Sequence, residues 1–129
     1  MPLQNQITEP ALADLVQRFY AKVRKDPELG PVFNGAVAKW DEHFVTLTKF
    51  WSSVMLTSGA YKGNPMAVHT KLADVIKTPM FDRWLALWKE TTEEVFILGH
   101  AAQLQERAER IAKSLKLGLA FVASRQGAT

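Results

Sequence analysis

The stretch WDEHFVTLTKFW, residues 40–51, carries the period of a helix with one apolar face. With Trp40 as origin and a turn of about 100° per residue, Phe44, Leu47, Phe50, Trp51 and Val54 share one arc, while Asp41, Glu42, Lys49 and Ser52 lie opposite. His43 falls inside the apolar arc. An imidazole buried there needs partners for a donor and an acceptor, at a cost of roughly 1–3 kcal/mol for each one left unmet. What His43 faces is therefore the question on which the function turns.

Working outward, the same period recurs on both sides. Thr8 is placed to cap a helix with Pro10 in its first turn, and Leu12, Leu15, Val16, Phe19, Tyr20 and Val23 follow at helical spacing to an end near Lys25. Asp26 can then cap a single turn opened by Pro27, which the Gly30-Pro31 pair ends before Phe33. The helix of residues 39–57 is broken by Gly59 and Gly63. Asn64 and Pro65 start the next segment, whose two apolar lines, Met66/His69/Ala73 and Val68/Leu72/Val75, predict cover on two sides. Thr78 and Pro79 repeat the cap-then-proline signal ahead of a stripe of Phe81, Trp84, Leu85, Trp88, Thr92 and Val95. After Gly99 a last helix is expected over residues 101–124, with Leu104, Ala108, Ile111, Leu115 and Val122 inward. No stretch alternates with the period of two that marks a half-buried strand, so the class is all-α.

A chain of 129 residues, 47% apolar and 22% charged, suits one globular domain, residues 1–129, read as a monomer. It has no apolar run long enough to span a membrane, and MPLQNQITEP lacks the regions of a signal peptide; a cytoplasmic protein is expected. The absence of cysteine excludes disulfides, thiolate zinc sites, iron–sulfur clusters and cysteine nucleophiles. A net charge of +3, with bases and acids interleaved as in QERAERIAKSLK, gives no basic patch for nucleic acid.

The three histidines limit the metal chemistry. Trp40, Met66 and Ile97 precede them by three positions where a di-iron bundle needs glutamate, and no pair has the i, i+4 spacing of a zincin. No G-x-S-x-G turn offers a hydroxyl nucleophile. What remains is His43 and His69, each on the apolar side of its own helix and 26 residues apart. Either could be a core histidine bonded to a carbonyl. Together, in consecutive helices flanking one loop, they favour a flat iron cofactor between the helices, which needs one strong axial donor and an apolar slot. Tyr20 and Trp84, each a large apolar body with one polar atom, are candidates for that slot and equally for plain core packing.

RFYAKVRKDPELGPVF (18–33), WDEHFVTLTKFW (40–51), YKGNPMAVHTKL (61–72) and FDRWLALW (81–88), in this order and spacing, resemble the truncated haemoglobins of group III over nearly the whole chain. The resemblance implies a two-over-two helical sandwich around haem b. It makes His69 the proximal iron ligand, Tyr20 the distal phenol, His43 the distal histidine at the pocket mouth and Trp84 the distal indole. Phe33 then packs on the haem face, Leu47, one turn beyond His43, lines the distal wall, and Met66 joins the cofactor pocket.

Three functions are set against one another: a haem protein that binds O₂, NO and CO and releases O₂ slowly; a haem redox enzyme, a nitric oxide dioxygenase or peroxidase-like catalyst; and a haem-free helical interaction domain. Without a flavin domain or G-x-G-x-x-G motif, any redox cycle draws electrons from a separate reductase.

Overall fold

The computed structural model describes residues 2–127, which form six helices. In α1 (Glu9–Lys25) the Thr8 hydroxyl accepts the Ala11 amide at 3.2 Å, and Pro10 occupies the first turn, where its missing N–H is not needed. The whole expected stripe, Leu12 to Val23, is buried.

At the end of α1 the buried Asp26 organises the turn. Its Oδ2 accepts the amides of Glu28 and Leu29, both at 3.0 Å, and its Oδ1 accepts Arg83 Nε at 2.7 Å from the far side of the molecule. The Gly30-Pro31 pair does not end the turn as the sequence led us to expect. It opens α2 (Gly30–Ala36), because proline is accommodated in the first turn of a helix and Gly30 lets α2 close onto α1. A Cβ at Gly30 would lie 2.7 Å from the Arg24 carbonyl oxygen, too near for any other residue.

WDEHFVTLTKFW lies within α3 (Trp40–Leu56), which ends at Thr57 in the left-handed region, φ 53°, with Gly59 at φ 70° continuing the break. Ser52, placed on the polar side by its angle, is in fact buried; its hydroxyl donates to Ser58 Oγ at 2.8 Å, which removes the cost of enclosing it.

In α4 (Pro65–Thr70) the Asn64 side chain accepts the Ala67 amide at 3.2 Å. In α5 (Thr78–Val95) Thr78 is already helical, and the capping position belongs to Lys77. Helix α6 (Leu98–Gly127) begins and ends about one turn outside its expected limits. The N-terminal segment closes on the α5–α6 junction: Gln4 N donates to Val95 O, Ile97 N donates to Gln4 O, and Gln4 pairs with Phe96 in an isolated bridge. No helix among the described residues is long and apolar enough to cross a membrane.

α1 packs on α3 and α5 on α6, α1 and α5 join the two pairs, and the short α2 and α4 dock on α1 and α6. This is the two-over-two sandwich. At its centre Trp88 is fully buried, stacked on Trp51 at 4.5 Å and on Trp84 at 5.8 Å between ring centroids, with Phe19 edge-on to Trp84 and Trp88. Its indole N–H donates to the Leu104 carbonyl at 3.1 Å, so α5 is tied to α6 without leaving a buried donor unmet.

Burial alone would raise the Asp26 pKa, but the Leu29 amide, the Arg83 guanidinium and the Glu28 amide outweigh it and hold the carboxyl below the usual carboxylate range. The stabilisation that follows is present above the ordinary carboxylate pKa and is lost as pH falls through the lower folded value. Asp26→Ala should cost about 1–3 kcal/mol at neutral pH, the sum of a lost helix cap and a lost ion pair to a half-exposed partner. Urea unfolding at neutral pH and at pH 3 tests this: the gap between variant and parent should narrow in acid, and an equal gap at both would show that the charge is not what stabilises the turn.

Candidate functional site

Between the two layers lies a cavity of about 920 Å³, at the upper end of the range for small-molecule and cofactor sites. All six helices contribute to its walls. Phe33, Leu47, Phe50, Leu72, Phe81 and Ile111 make it apolar; the exposed side chains Lys39, Glu42, Thr46 and Lys71 stand at its rim. Into this space the fold brings Tyr20, Phe33, His43, Leu47, His69 and Trp84 from five different helices.

His69 owes its orientation to the local sequence. Pro65 starts α4, and its carbonyl lies 2.7 Å from His69 Nδ1, one turn on. A carbonyl can only accept, so Nδ1 carries a proton, and in the neutral ring the lone pair is on Nε2. That is the tautomer a metal-binding imidazole requires, with its second nitrogen oriented by a hydrogen bond. Among the described residues no three histidines or carboxylates cluster to cage a metal ion. A single imidazole facing an apolar cavity suits a metal whose other ligands come from a cofactor.

Opposite, Tyr20 is buried with its ring edge-on to Phe19 at 4.7 Å and tilted against Phe33 at 5.5 Å. Burial pushes its pKa up to about 12, against the lowering effect of the Trp84 indole N–H, so the phenol stays protonated at any physiological pH and acts as a donor. Trp84 is held flat against Trp88 and cannot turn without breaking that stack.

His43, the residue that raised the question, lies edge-on to Tyr20 at 6.1 Å and to Trp40 at 5.6 Å. Among the described residues no hydrogen bond ties down its ring. Its pKa is lowered by burial, which favours the neutral imidazole. It faces the cavity.

Met66 is not with this group. It does not line the cavity but packs against Phe81, Ala112, Leu115 and Leu119, where Gly118 makes room: a Cβ there would lie within 3 Å of the thioether. The two expected apolar lines of this segment are likewise redistributed. Val68 and Leu72 line the cavity with His69, Met66 and Ala73 face α6, and Val75 is half-exposed. The cause is that α4 is helical only to Thr70, so the 100° step fails beyond it. Phe50, Trp51, Phe81, Ile111 and Leu115 belong to the walls although the sequence marked them only as core. Tyr61 and Ile76, in loops, carried no periodic signal at all.

Comparison with known proteins agrees with this architecture. The profile of the bacterial-like globin family matches residues 6–117. The group 3 truncated hemoglobin ctb of Campylobacter jejuni subsp. jejuni serotype O:2 is 34% identical over 110 residues, covering 82% of this chain and 86% of that protein. The crystal structure of group III truncated hemoglobin from Campylobacter jejuni superposes with a TM-score of 0.84 at 31% identity, over 92% of this chain and 95% of the other. With a matching profile, a relative of this similarity and a shared fold, the chain belongs to the bacterial-like globins, within the group III truncated haemoglobins.

Proposed function

We propose that this globin holds haem b through His69 and binds diatomic gases, O₂, NO and CO, under a hydrogen-bonding lid of Tyr20 and Trp84. The observation that carries the reading is the committed Nδ1 of His69: its bond to Pro65 O leaves a neutral Nε2 donor on the α4 wall of an apolar cavity, with two polar hydrogens held on other walls. When bound, haem would supply an iron that can take a diatomic ligand. The chain does the rest. Phe33 and Leu47 pack the slot and exclude water, and the exposed Lys39 and Lys71 at the rim offer cations to the carboxylates of a porphyrin. His43, half-buried between Tyr20 and the rim, gates the mouth.

Tyr20 and Trp84 stabilise a ligand that gathers negative charge, and hold it longer. Each such hydrogen bond contributes about 0.5–1.5 kcal/mol, more where water is excluded. Globin membership sets aside the haem-free interaction domain. Slow release suits ligand capture or conversion of NO better than delivery, and repeated turnover would take electrons from a separate reductase.

Two experiments test this. His69→Gly should abolish the haem spectrum of the reduced protein, and added imidazole should restore much of it by standing in for the lost donor. An unchanged ferrous spectrum in the variant without imidazole would assign the axial ligand elsewhere.

Tyr20→Phe and Trp84→Phe each remove one donor and keep the ring volume. Each should speed O₂ dissociation, by roughly tenfold for every 1.4 kcal/mol lost, while CO, which gathers less charge on its outer atom, should respond less. Stopped-flow release of both gases measures the difference. O₂ off-rates equal to the parent's in both variants would reduce Tyr20 and Trp84 to core packing.

A further inference from the structure

Trp40 opens α3 and does not line the cavity, yet it touches everything that positions His43. Its ring meets His43 edge-on at 83° and 5.6 Å, Tyr20 at 5.8 Å and Phe44 at 5.7 Å. Its other contact is a charge: the Arg24 guanidinium carbon lies 4.7 Å from the centroid of the indole. Arg24 is well placed to hold. Its carbonyl accepts Asn34 Nδ2 at 3.2 Å, and Gly30 packs against the same carbonyl, so α2 clamps the backbone from which the guanidinium extends. A chain of contacts thus runs from Gly30 and Asn34 through Arg24 and Trp40 to His43, and none of these first four residues lines the cavity.

His43 has no hydrogen bond among the described residues to fix it. What holds its ring inward is therefore packing on the edges of Trp40 and Tyr20, and of these two only Trp40 stands outside the cavity wall. We infer that Trp40, pinned by Arg24, is the positioning residue of the His43 gate: it biases the imidazole toward the inward position and so sets how fast ligands reach the pocket. This rests on the reading of His43 as a gate. An aromatic edge contact and an exposed cation–π contact are each small beside a hydrogen-bond network, which is what a gate needs if thermal motion is to open it.

Carbon monoxide association after flash photolysis of the haem-loaded protein is the measurement, made on Trp40→Ala, Trp40→Phe and Arg24→Gln, each with His43 and with His43→Ala. With His43 present, Trp40→Ala should raise the association rate roughly three- to tenfold, Arg24→Gln less, and Trp40→Phe least because an aromatic edge remains. With His43→Ala all three should have no further effect, since the residue through which they act is gone. In the diamagnetic carbon monoxide form, nuclear Overhauser contacts between the His43 and Tyr20 rings should weaken in Arg24→Gln, a change distant from both. If Trp40→Ala acts equally with and without His43, Trp40 shapes the pocket by itself and the inference falls while the gate stands. If His43→Ala leaves the association rate unchanged, the gate reading falls and the inference with it. Trp40→Phe, which keeps the ring packing of the α3 start, allows the comparison even if the alanine variant folds poorly.

Discussion

Everything at this site depends on one nitrogen being occupied. An imidazole offers two, and which of them is free decides what it can bind. Here the Pro65 carbonyl takes Nδ1 of His69, and the side chain is fixed in tautomer and in rotation by a bond made within a single turn of helix. Because donor and acceptor belong to the same short segment, the orientation does not rely on α3, α5 or the long C-terminal helix holding any particular relation to it. The larger fold only has to bring a suitable cavity to that nitrogen.

The opposite wall is built on a different principle. Trp84 ends a column that reaches from Trp51 through Trp88, Phe19 braces the column and meets Tyr20 edge-on, and His43 touches only the ring edges of Tyr20 and Trp40. Rings locked edge to face lose little on meeting a ligand, because they are already where they need to be. The rigidity is graded: Trp84 is stacked and Tyr20 enclosed, whereas His43 is held by ring edges alone. On the proposed reading, the donors that hold a ligand are the stiff ones and the gate is the group held least.

Those gradations explain what could be read from the amino-acid order. Long helices whose one face is covered announce themselves by period, and α1 is buried along the whole of its expected stripe. Tyr20, His43, His69, Trp84, Phe33 and Leu47 were legible because each is an unusual residue at a helical position, or belongs to a short motif with neighbours that resemble a known family. Met66 was misplaced because residues three apart on a helix still point about 60° apart, and that difference carries Met66 onto Phe81, Leu115 and Leu119 while His69 lines the cavity. Ser52 was taken as outward because angle alone cannot see Ser58 approach from the following loop. The Gly30-Pro31 pair carries both stop and start meanings, and only the closeness of the Arg24 carbonyl selects the second. Tyr61 and Ile76 reach the cavity from loops, where no repeat exists to be counted.

The thinness of α4 has a consequence for how the cofactor is acquired. Six residues long, packed chiefly on α6, and with Val68 half-exposed beside His69, this segment is a lightly tied part of the cavity wall, as the short α2 is on α1. Neither the Trp88 column nor the Asp26 turn draws on a residue of α4, so both can persist while it opens. A cofactor approaching from this side meets a wall whose opening is a local event, well below global unfolding in cost.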